Sequence, residues 1–477
     1  MRLSGTGARI LAIWVAVAGA LASVAVLRGL FDPDYFWHLA TGNLILDSGR
    51  VPTADPFSFT WFGEPWIPDQ WLGEVLISAG VGSVGVSILL IGLALAAAGG
   101  IVAAALSARG SASWPAIIGA VVVGAACLLP QVTLRPQALS FAFVGILMYL
   151  LVSATPATRA RLLVIPPMFL IWANTHGFFI VGLGVGALYL VATLLGRTPL
   201  RGQRLFALAV ATAAIVATMI TPSGPAGLVY AASFGDAGDI GAQAISEWQS
   251  PNFHNPQFLP FLAIVGAALL AGIHRAPGWL IGTTVMGVLL GLFAARSVGI
   301  GALLIIPGVL VASGSMARSA PVDRPRAILE LAAGGVIAIV LVVAAIGRGP
   351  VTVDVRRVPV EATEALREVA PDSRVLAMYE WGGYLINELG PDGGSVFVDG
   401  RMHKYARDVL ADYLTIVGAD PGWQSVLARY QVEAMLLSPN APIAKGAIQR
   451  EGWCEVFRNA TSVLLFPTCG NARVSDE

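Results

Sequence analysis

Residues 10–27 read ILAIWVAVAGALASVAVL, and residues 31–71, which follow almost at once, read FDPDYFWHLATGNLILDSGRVPTADPFSFTWFGEPWIPDQW. As a helix the first stretch is about 27 Å long and carries no charge, which matches the hydrocarbon thickness of a bilayer. The second is rich in carboxylates and holds Trp37, Trp61, Trp66 and Trp71. An apolar span opening directly onto an acidic, aromatic loop is the reading from which the rest of the fold follows.

Further apolar runs of spanning length fall at 86–107, 114–130, 137–154, 162–175, 178–196, 205–220, 258–273, 278–294, 298–314 and 328–346, for about eleven spans in all. The short pair around Asn174, Thr175, His176 and Gly177 reads as a span, a polar elbow and a second span. Composition agrees with this. Only 12% of residues are charged and 56% are hydrophobic, against about 25% charged in a soluble domain. The charges are also segregated, because 29 of the 58 Asp, Glu, Lys and Arg residues follow Pro350. The expected fold is an α-helical polytopic membrane domain over 1–348, with its first external loop at 31–71, and a C-terminal extracytoplasmic α/β domain over 349–477. A net charge of zero argues against a nucleic-acid partner.

The run 10–27 is followed by no acid until Asp32, and its small residues Ala22 and Ser23 resemble a signal-peptide cleavage site. We read it as an uncleaved span that anchors the loop behind it. Basic residues set the sidedness. With Arg2 and Arg9 in the cytoplasm, Arg109, Arg159, Arg161, Arg197, Arg201, Arg204, Arg275, Arg318, Arg324 and Arg326 fall there too. The other side keeps Arg28, Arg50, Arg135, Arg296 and Arg348, and it collects most of the acids, from Asp32 to Glu74 and Glu247. An odd number of spans then puts the tail outside, in a multi-pass protein of the plasma (inner) membrane. Cys454 and Cys469 flank a terminal hairpin in that tail and are expected to pair if the compartment is oxidising.

Asp32 and Asp34 lie within a turn of the first span's end. Interfacial Trp residues are ordinary at that depth, but carboxylates there are costly unless paired, bound to a cation or used. An acid in this position suits transfer from a lipid-phosphate donor. It can act as general base toward an acceptor hydroxyl, or hold a divalent cation such as Mg or Mn against the leaving phosphate. His38, four residues after Asp34, shares its face on a helix. Arg296, just outside a long apolar run, can grip a lipid phosphate with two N–H groups or simply snorkel to the interface. The elbow at Asn174 and His176 reads first as a satisfied turn.

The segment Asp34-Tyr35-Phe36-Trp37-His38 resembles the start of the first external loop in oligosaccharyltransferase catalytic subunits. The layout as a whole is similar to GT-C glycosyltransferases, which use polyprenyl-phosphate-linked sugars. Ser246-Glu247-Trp248 with Ala244 and Ile245 before it resembles the short Ser/Thr-x-x-Glu signature of their late external loop. Tyr379-Glu380-Trp381-Gly382-Gly383-Tyr384, followed by Val398-Asp399-Gly400-Arg401, resembles the signature of their soluble domain. The resemblance implies Asp34 as base or metal ligand, Asp32 and Glu247 assisting, His38 and Arg296 on the donor phosphate, and Glu380, Trp381 and Tyr384 toward the acceptor. Asp34 and Glu247 would be the ligands of any cation. The second external loop, Gln131 to Pro136, departs from the pattern by having no acid.

The function expected is sugar transfer from a polyprenyl-phosphate-linked donor to a cell-envelope glycan, lipid or protein outside the membrane. A transporter or flippase of envelope precursors, or a non-catalytic scaffold, is the alternative. Transporters place polar groups at mid-membrane on broken helices, often with internal repeats. Here the acids cluster in the loops.

Overall fold

The computed structural model describes residues 4–30, 32–233, 245–314, 323–349, 351–390, 395–401 and 404–468. In chain order its helices begin with α1 (Gly5–Arg28), α2 (Pro33–Ser48), α3 (Trp71–Val84), α4 (Val86–Leu106), α5 (Trp114–Leu128) and α6 (Gln137–Val152). Next come α7 (Ile165–Ala173), α8 (Phe179–Leu194), α9 (Arg204–Thr218), α10 (Pro225–Ser233), α11 (Leu259–Leu270), α12 (Gly278–Phe293), α13 (Val298–Ser313) and α14 (Arg324–Ile346). The tail adds α15 (Val360–Val369), α16 (Tyr379–Leu389), α17 (Arg407–Val417), α18 (Trp423–Tyr430) and α19 (Pro442–Glu451).

By contact the described residues fall into two compact units. One takes in Met1–Arg28, Ser83–Ser233 and Ile245–Val351, and the other Gly29–Gly82 and Thr352–Glu477.

The first unit is helical and apolar, as in a multi-pass membrane protein. Every apolar run read from the sequence carries a helix. Among the described residues, five helical segments are long and apolar enough to cross a membrane: Gly5–Arg28, Val86–Leu106, Trp114–Gln131, Ala295–Ser313 and Arg324–Ile346. The others are shorter, as at Gln137–Val152 and Phe179–Leu194. Helix α13 is central, with Leu303, Leu304, Ile305 and Ile306 fully buried. Helix α14 is peripheral and exposes Leu329, Val336, Ile339 and Val343, as a lipid-facing surface requires. Small residues let these helices approach one another. At the α4–α6 crossing, a Cβ on Gly100 or on Gly145 would overlap backbone of the other helix. Arg9 on α1 and Glu330 on α14 make a two-point ion pair at 2.7 and 2.8 Å.

The second unit joins the first loop to the tail. Leu30 N–H donates to Thr352 O at 3.0 Å and Leu30 O accepts from Asp354 N–H at 3.1 Å, so the chain leaves α1 beside the point where it re-enters after α14. A four-stranded mixed sheet runs in the order β1 (Val375–Ala377), β2 (Ala434–Leu437), β4 (Val463–Phe466), β3 (Cys454–Arg458). β1 and β2 are parallel, and the other pairs are antiparallel. Residues 395–398 make single bridges, Val396 to Val375 and to Ser58. Glu380–Tyr384 lies in a helix despite its two adjacent glycines. The core combines Trp37, Phe57 and Trp66 of the loop with Trp381, Leu385, Ile386, Val396, Leu436 and Leu464 of the tail. Burying an aromatic ring of this size contributes a few kcal/mol. Trp37 and Trp66 are therefore core residues of this unit and not an interfacial belt. Cys127 is a buried free thiol. The expected pairing of Cys454 involves Cys469, which lies outside the described residues.

Candidate functional site

In the second unit the candidate acid is placed by the Asp32-Pro33-Asp34 sequence itself. Asp32 is the N-cap of α2, with φ −78° and ψ 114°, and its Oδ1 accepts from the Asp34 N–H at 3.1 Å. Pro33 occupies the first helical position, where its missing N–H costs nothing and its fixed φ suits a helix. Asp34 stands in the first turn, where free backbone N–H groups and the helix dipole favour a negative charge. The two acids thus have different jobs, one capping and one projecting.

Helix α16 and the loop after Val398 press against this turn. A Cβ on Gly383 would lie 2.9 Å from Pro33 O and 3.2 Å from Trp37 Cδ1. A Cβ on Gly400 would overlap Asp34 Oδ1 and lie 3.0 Å from Trp37 Nε1. The Trp37 indole N–H has no hydrogen-bond partner among the described residues. Tyr384 meets Phe36 edge-on at 5.0 Å, and Trp381 Nε1 donates to Arg357 O at 2.8 Å. Trp381 and Tyr384, read from the sequence as acceptor-binding, are buried, while Glu380 is half-buried on the first turn of α16. Burial raises the Glu380 carboxyl above its ordinary range. His38 is buried, with Nδ1 3.2 Å from Glu74 Oε1 of α3.

A buried charge cluster, which sequence reading did not find, fixes the loop around Gly400. Arg401 and Asp399, 1% and 0% exposed, pair through Nε–Oδ1 at 2.9 Å and Nη2–Oδ2 at 2.6 Å. Arg401 Nη1 also lies 3.0 Å from Asp55 Oδ1, and Lys404 Nζ lies 2.5 Å from Asp55 Oδ2. Tyr405 O–H donates to Asp399 Oδ2 at 2.7 Å, and Ser58 Oγ donates to Asp55. The Arg401 guanidinium sits over Trp66 at 4.6 Å and Phe57 at 4.8 Å. Burial would push Asp399 and Asp55 up, but the Arg401 and Lys404 charges outweigh it and hold both carboxyls below their usual range. Burial pulls the Lys404 ammonium down to about 7, with Arg401 adding to the pull. The only sequence signal for this cluster was Val398-Asp399-Gly400-Arg401, quoted for its resemblance and not for its chemistry.

In the first unit Glu247 and Arg296 meet, and Arg135 joins them. Arg135 Nη1 donates to both Glu247 oxygens, at 3.1 and 2.9 Å, and Arg296 Nη1 lies 3.5 Å from Glu247 Oε1. The side chains are 13%, 17% and 30% exposed for Arg135, Arg296 and Glu247. Burial raises the Glu247 carboxyl, but the two guanidiniums outweigh it and hold it below its usual range. Arg296 stacks over Trp248 at 4.3 Å. Its backbone is braced from three directions. Gln137 Nε2 donates to Arg296 O at 3.1 Å, Gln131 Nε2 to Ala295 O at 3.0 Å, and Ala295 N–H to Gln249 O at 2.9 Å. Two guanidiniums thus converge on one carboxylate in a partly open cradle, and guanidiniums so grouped are the side chains that grip a phosphate.

The polar elbow divides between two roles. Asn174 Nδ2 donates to Leu170 O and Ile220 O at 2.8 and 2.9 Å, a satisfied turn. His176 Nδ1 accepts from Phe178 N–H at 3.1 Å and lies 3.2 Å from Ser140 Oγ, which itself accepts from Trp172 Nε1 at 2.9 Å. This network assigns the ring proton to Nε2.

No group of three or more His, Cys, Asp or Glu is placed to hold a metal ion among the described residues. Glu247 does not fit a divalent cation, since an ion would have to displace two guanidiniums from it.

No family model matches the sequence, and no curated protein matches it. Solved structures do. The archaeal oligosaccharyltransferase AglB from Archaeoglobus fulgidus, in complex with an inhibitory peptide and a dolichol-phosphate, is similar with a TM-score of 0.60 at 12% identity, over 96% of this chain and 74% of that one. ArnT from Cupriavidus metallidurans in the apo state has a TM-score of 0.52 at 14% identity, over 96% and 97% of the two chains. ArnT bound to undecaprenyl phosphate gives 0.50 at 13%, over 97% and 98%. Both neighbours are GT-C membrane glycosyltransferases, and this chain has their fold, a set of apolar helices followed by a small C-terminal sheet.

Proposed function

We propose that the chain is a membrane glycosyltransferase that moves a sugar from a polyprenyl-phosphate-linked donor to a cell-envelope glycan, lipid or protein outside the membrane. The observation that carries this reading is the Arg135–Glu247–Arg296 cradle, in a fold whose solved neighbours hold dolichol-phosphate and undecaprenyl phosphate. Arg135 and Arg296 take the donor phosphate, and Glu247 keeps the two guanidiniums in place. The His176 Nε2–H, assigned by its neighbours, is a further donor in the same unit.

Asp34 is the general base. Its carboxylate takes the proton of the acceptor hydroxyl, whose oxygen forms the new glycosidic bond to the sugar's C1. The bond from C1 to the phosphate oxygen breaks, and the polyprenyl phosphate leaves with the electron pair. The arginines stabilise that charge. Asp32 holds the helix start, and Glu380 is the acceptor-side candidate. The arginine bias supports a cytoplasmic N-terminus with Asp34, Glu247 and the tail outside.

The test is an assay of purified protein with radiolabelled polyprenyl-phosphate sugars, with and without chelator. Transfer of label to envelope acceptors supports the reading. Donor binding without transfer to any acceptor class overturns it in favour of a carrier or scaffold.

A further inference from the structure

We propose that Gly400 is a positioning residue, and that the loop Asp399–Gly400–Arg401 sets where the Asp34 carboxylate stands. The proposal rests on Asp34 being the base, and it adds a requirement that the catalytic reading does not contain. An aspartate on the first turn of a helix has several staggered χ1 choices. Something must select one if its oxygen is to meet an acceptor hydroxyl reproducibly.

The space at Gly400 does this. A Cβ there would overlap Asp34 Oδ1, come 3.4 Å from Asp34 Cγ and 3.0 Å from Trp37 Nε1. The carboxylate occupies the volume that any other residue at 400 would fill. The backbone does not itself demand glycine, since Gly400 is absent from the residues with positive φ, which include Gly390 and Gly422. Space, and not backbone conformation, is what glycine supplies here, because any Cβ at 400 would require the Asp34 carboxylate to move.

The wall on the other side cannot yield. Asp399 and Arg401, the neighbours of Gly400, are both buried and joined by two hydrogen bonds. Asp55, Tyr405 and the Phe57 and Trp66 rings close around them. Removing one partner from such a buried pair is strongly unfavourable. Gly382 and Gly383 set the spacing. A Cβ on Gly382 would lie 2.7 Å from Asp399 Cα, and one on Gly383 would lie 2.9 Å from Pro33 O. Two adjacent glycines on α16 thus touch the loop on one side and the start of α2 on the other. The tail motif therefore holds the candidate base by backbone contact.

A double-mutant cycle tests this together with kinetics. Gly400→Ala, Asp34→Ala and the double variant are compared with a control, Gly446→Ala, whose new Cβ would meet only ordinary contacts at 3.8 Å or more. If the added methyl collides with the Asp34 carboxylate, Gly400→Ala lowers Tm by several degrees in the native background. It lowers Tm by less than half as much when Asp34 is already Ala. Equal losses in the two backgrounds overturn the proposal, because a merely structural glycine behaves additively. Should Gly400→Ala fail to fold, recovery of folding in the double variant supports it, and failure of both variants overturns it. In the transfer assay Gly400→Ala is expected to lower kcat by about tenfold to a hundredfold with donor KM within about twofold, as a misplaced base does. A normal kcat in Gly400→Ala, with transfer abolished by Asp34→Asn, defeats the positioning role and leaves the transferase reading intact. If native protein transfers nothing, the transferase reading fails, and the Tm cycle still decides whether residue 400 sets the Asp34 geometry.

Discussion

Arg135 Nη1 reaches both carboxylate oxygens of Glu247, at 3.1 and 2.9 Å. Arg296 approaches the same carboxylate from its own turn, at 3.5 Å. Two guanidiniums on one carboxylate form a paired-arginine surface, and a phosphate is the ligand such a pair grips best.

Arg296→Ala should therefore raise donor KM by about tenfold to a hundredfold, the loss of one charge-assisted hydrogen bond. Its effect on kcat should be smaller, because the phosphate is present in both ground and transition states. Steady-state transfer with varied donor measures the split. A fall in kcat alone would move Arg296 from binding to chemistry.

Chelation should change the rate by less than about twofold. Arg135 and Arg296 already occupy the Glu247 carboxylate, and fixed cations can stabilise a leaving phosphate as a metal does. Complete loss of transfer in chelator, restored by Mg or Mn, would show that a cation binds elsewhere or displaces an arginine.

Asp32→Asn should leave stability and turnover near normal, because Asn caps helices as well as Asp does. Asp32→Ala should cost about 1 kcal/mol, the usual loss for a removed N-cap. Thermal unfolding of both variants checks the cap. A large loss of kcat in folded Asp32→Asn would instead make Asp32 a second chemical group.

The legible and illegible parts of this chain divide along one physical line. Apolar runs announce helices because burial in lipid needs only composition, and every run read from the sequence carries a helix. Asp34 stood out because a carboxylate directly after a span is expensive. Asp55 and Arg401 did not stand out, since they meet only after the chain has passed through the whole helical unit and returned. Trp37 and Trp66 looked interfacial from their place in the chain, yet they pack against tail residues far along the sequence. The Gly382–Gly383 pair carries no local sign of its role, which is to admit neighbouring backbone on both sides of a helix. Local pattern reveals periodicity and charge, whereas close approach depends on what arrives from elsewhere.

Acid should loosen the second unit. Asp399 and Asp55 are held below their unfolded values by Arg401 and Lys404. Lowered carboxyl pKa values contribute stability that is fully present above the unfolded value, about 3.9, and lost as pH falls through the folded one. Tm of the tail signal should fall as pH drops below about 4, where these carboxylates take up protons. Asp399→Asn should cost about 3–5 kcal/mol at neutral pH by leaving Arg401 underpaired. A Tm that does not fall on acidification would mean that the cluster adds nothing beyond its packing.

The central claim is that Asp34 removes the acceptor proton, and turnover by Asp34→Asn tests it most directly. Asn keeps the size and the helix position but cannot accept a proton at neutral pH. With labelled polyprenyl-phosphate sugar and protein shown to be folded and to bind donor, transfer should fall by about a hundredfold to ten-thousandfold. Near-normal turnover in folded Asp34→Asn would contradict the account.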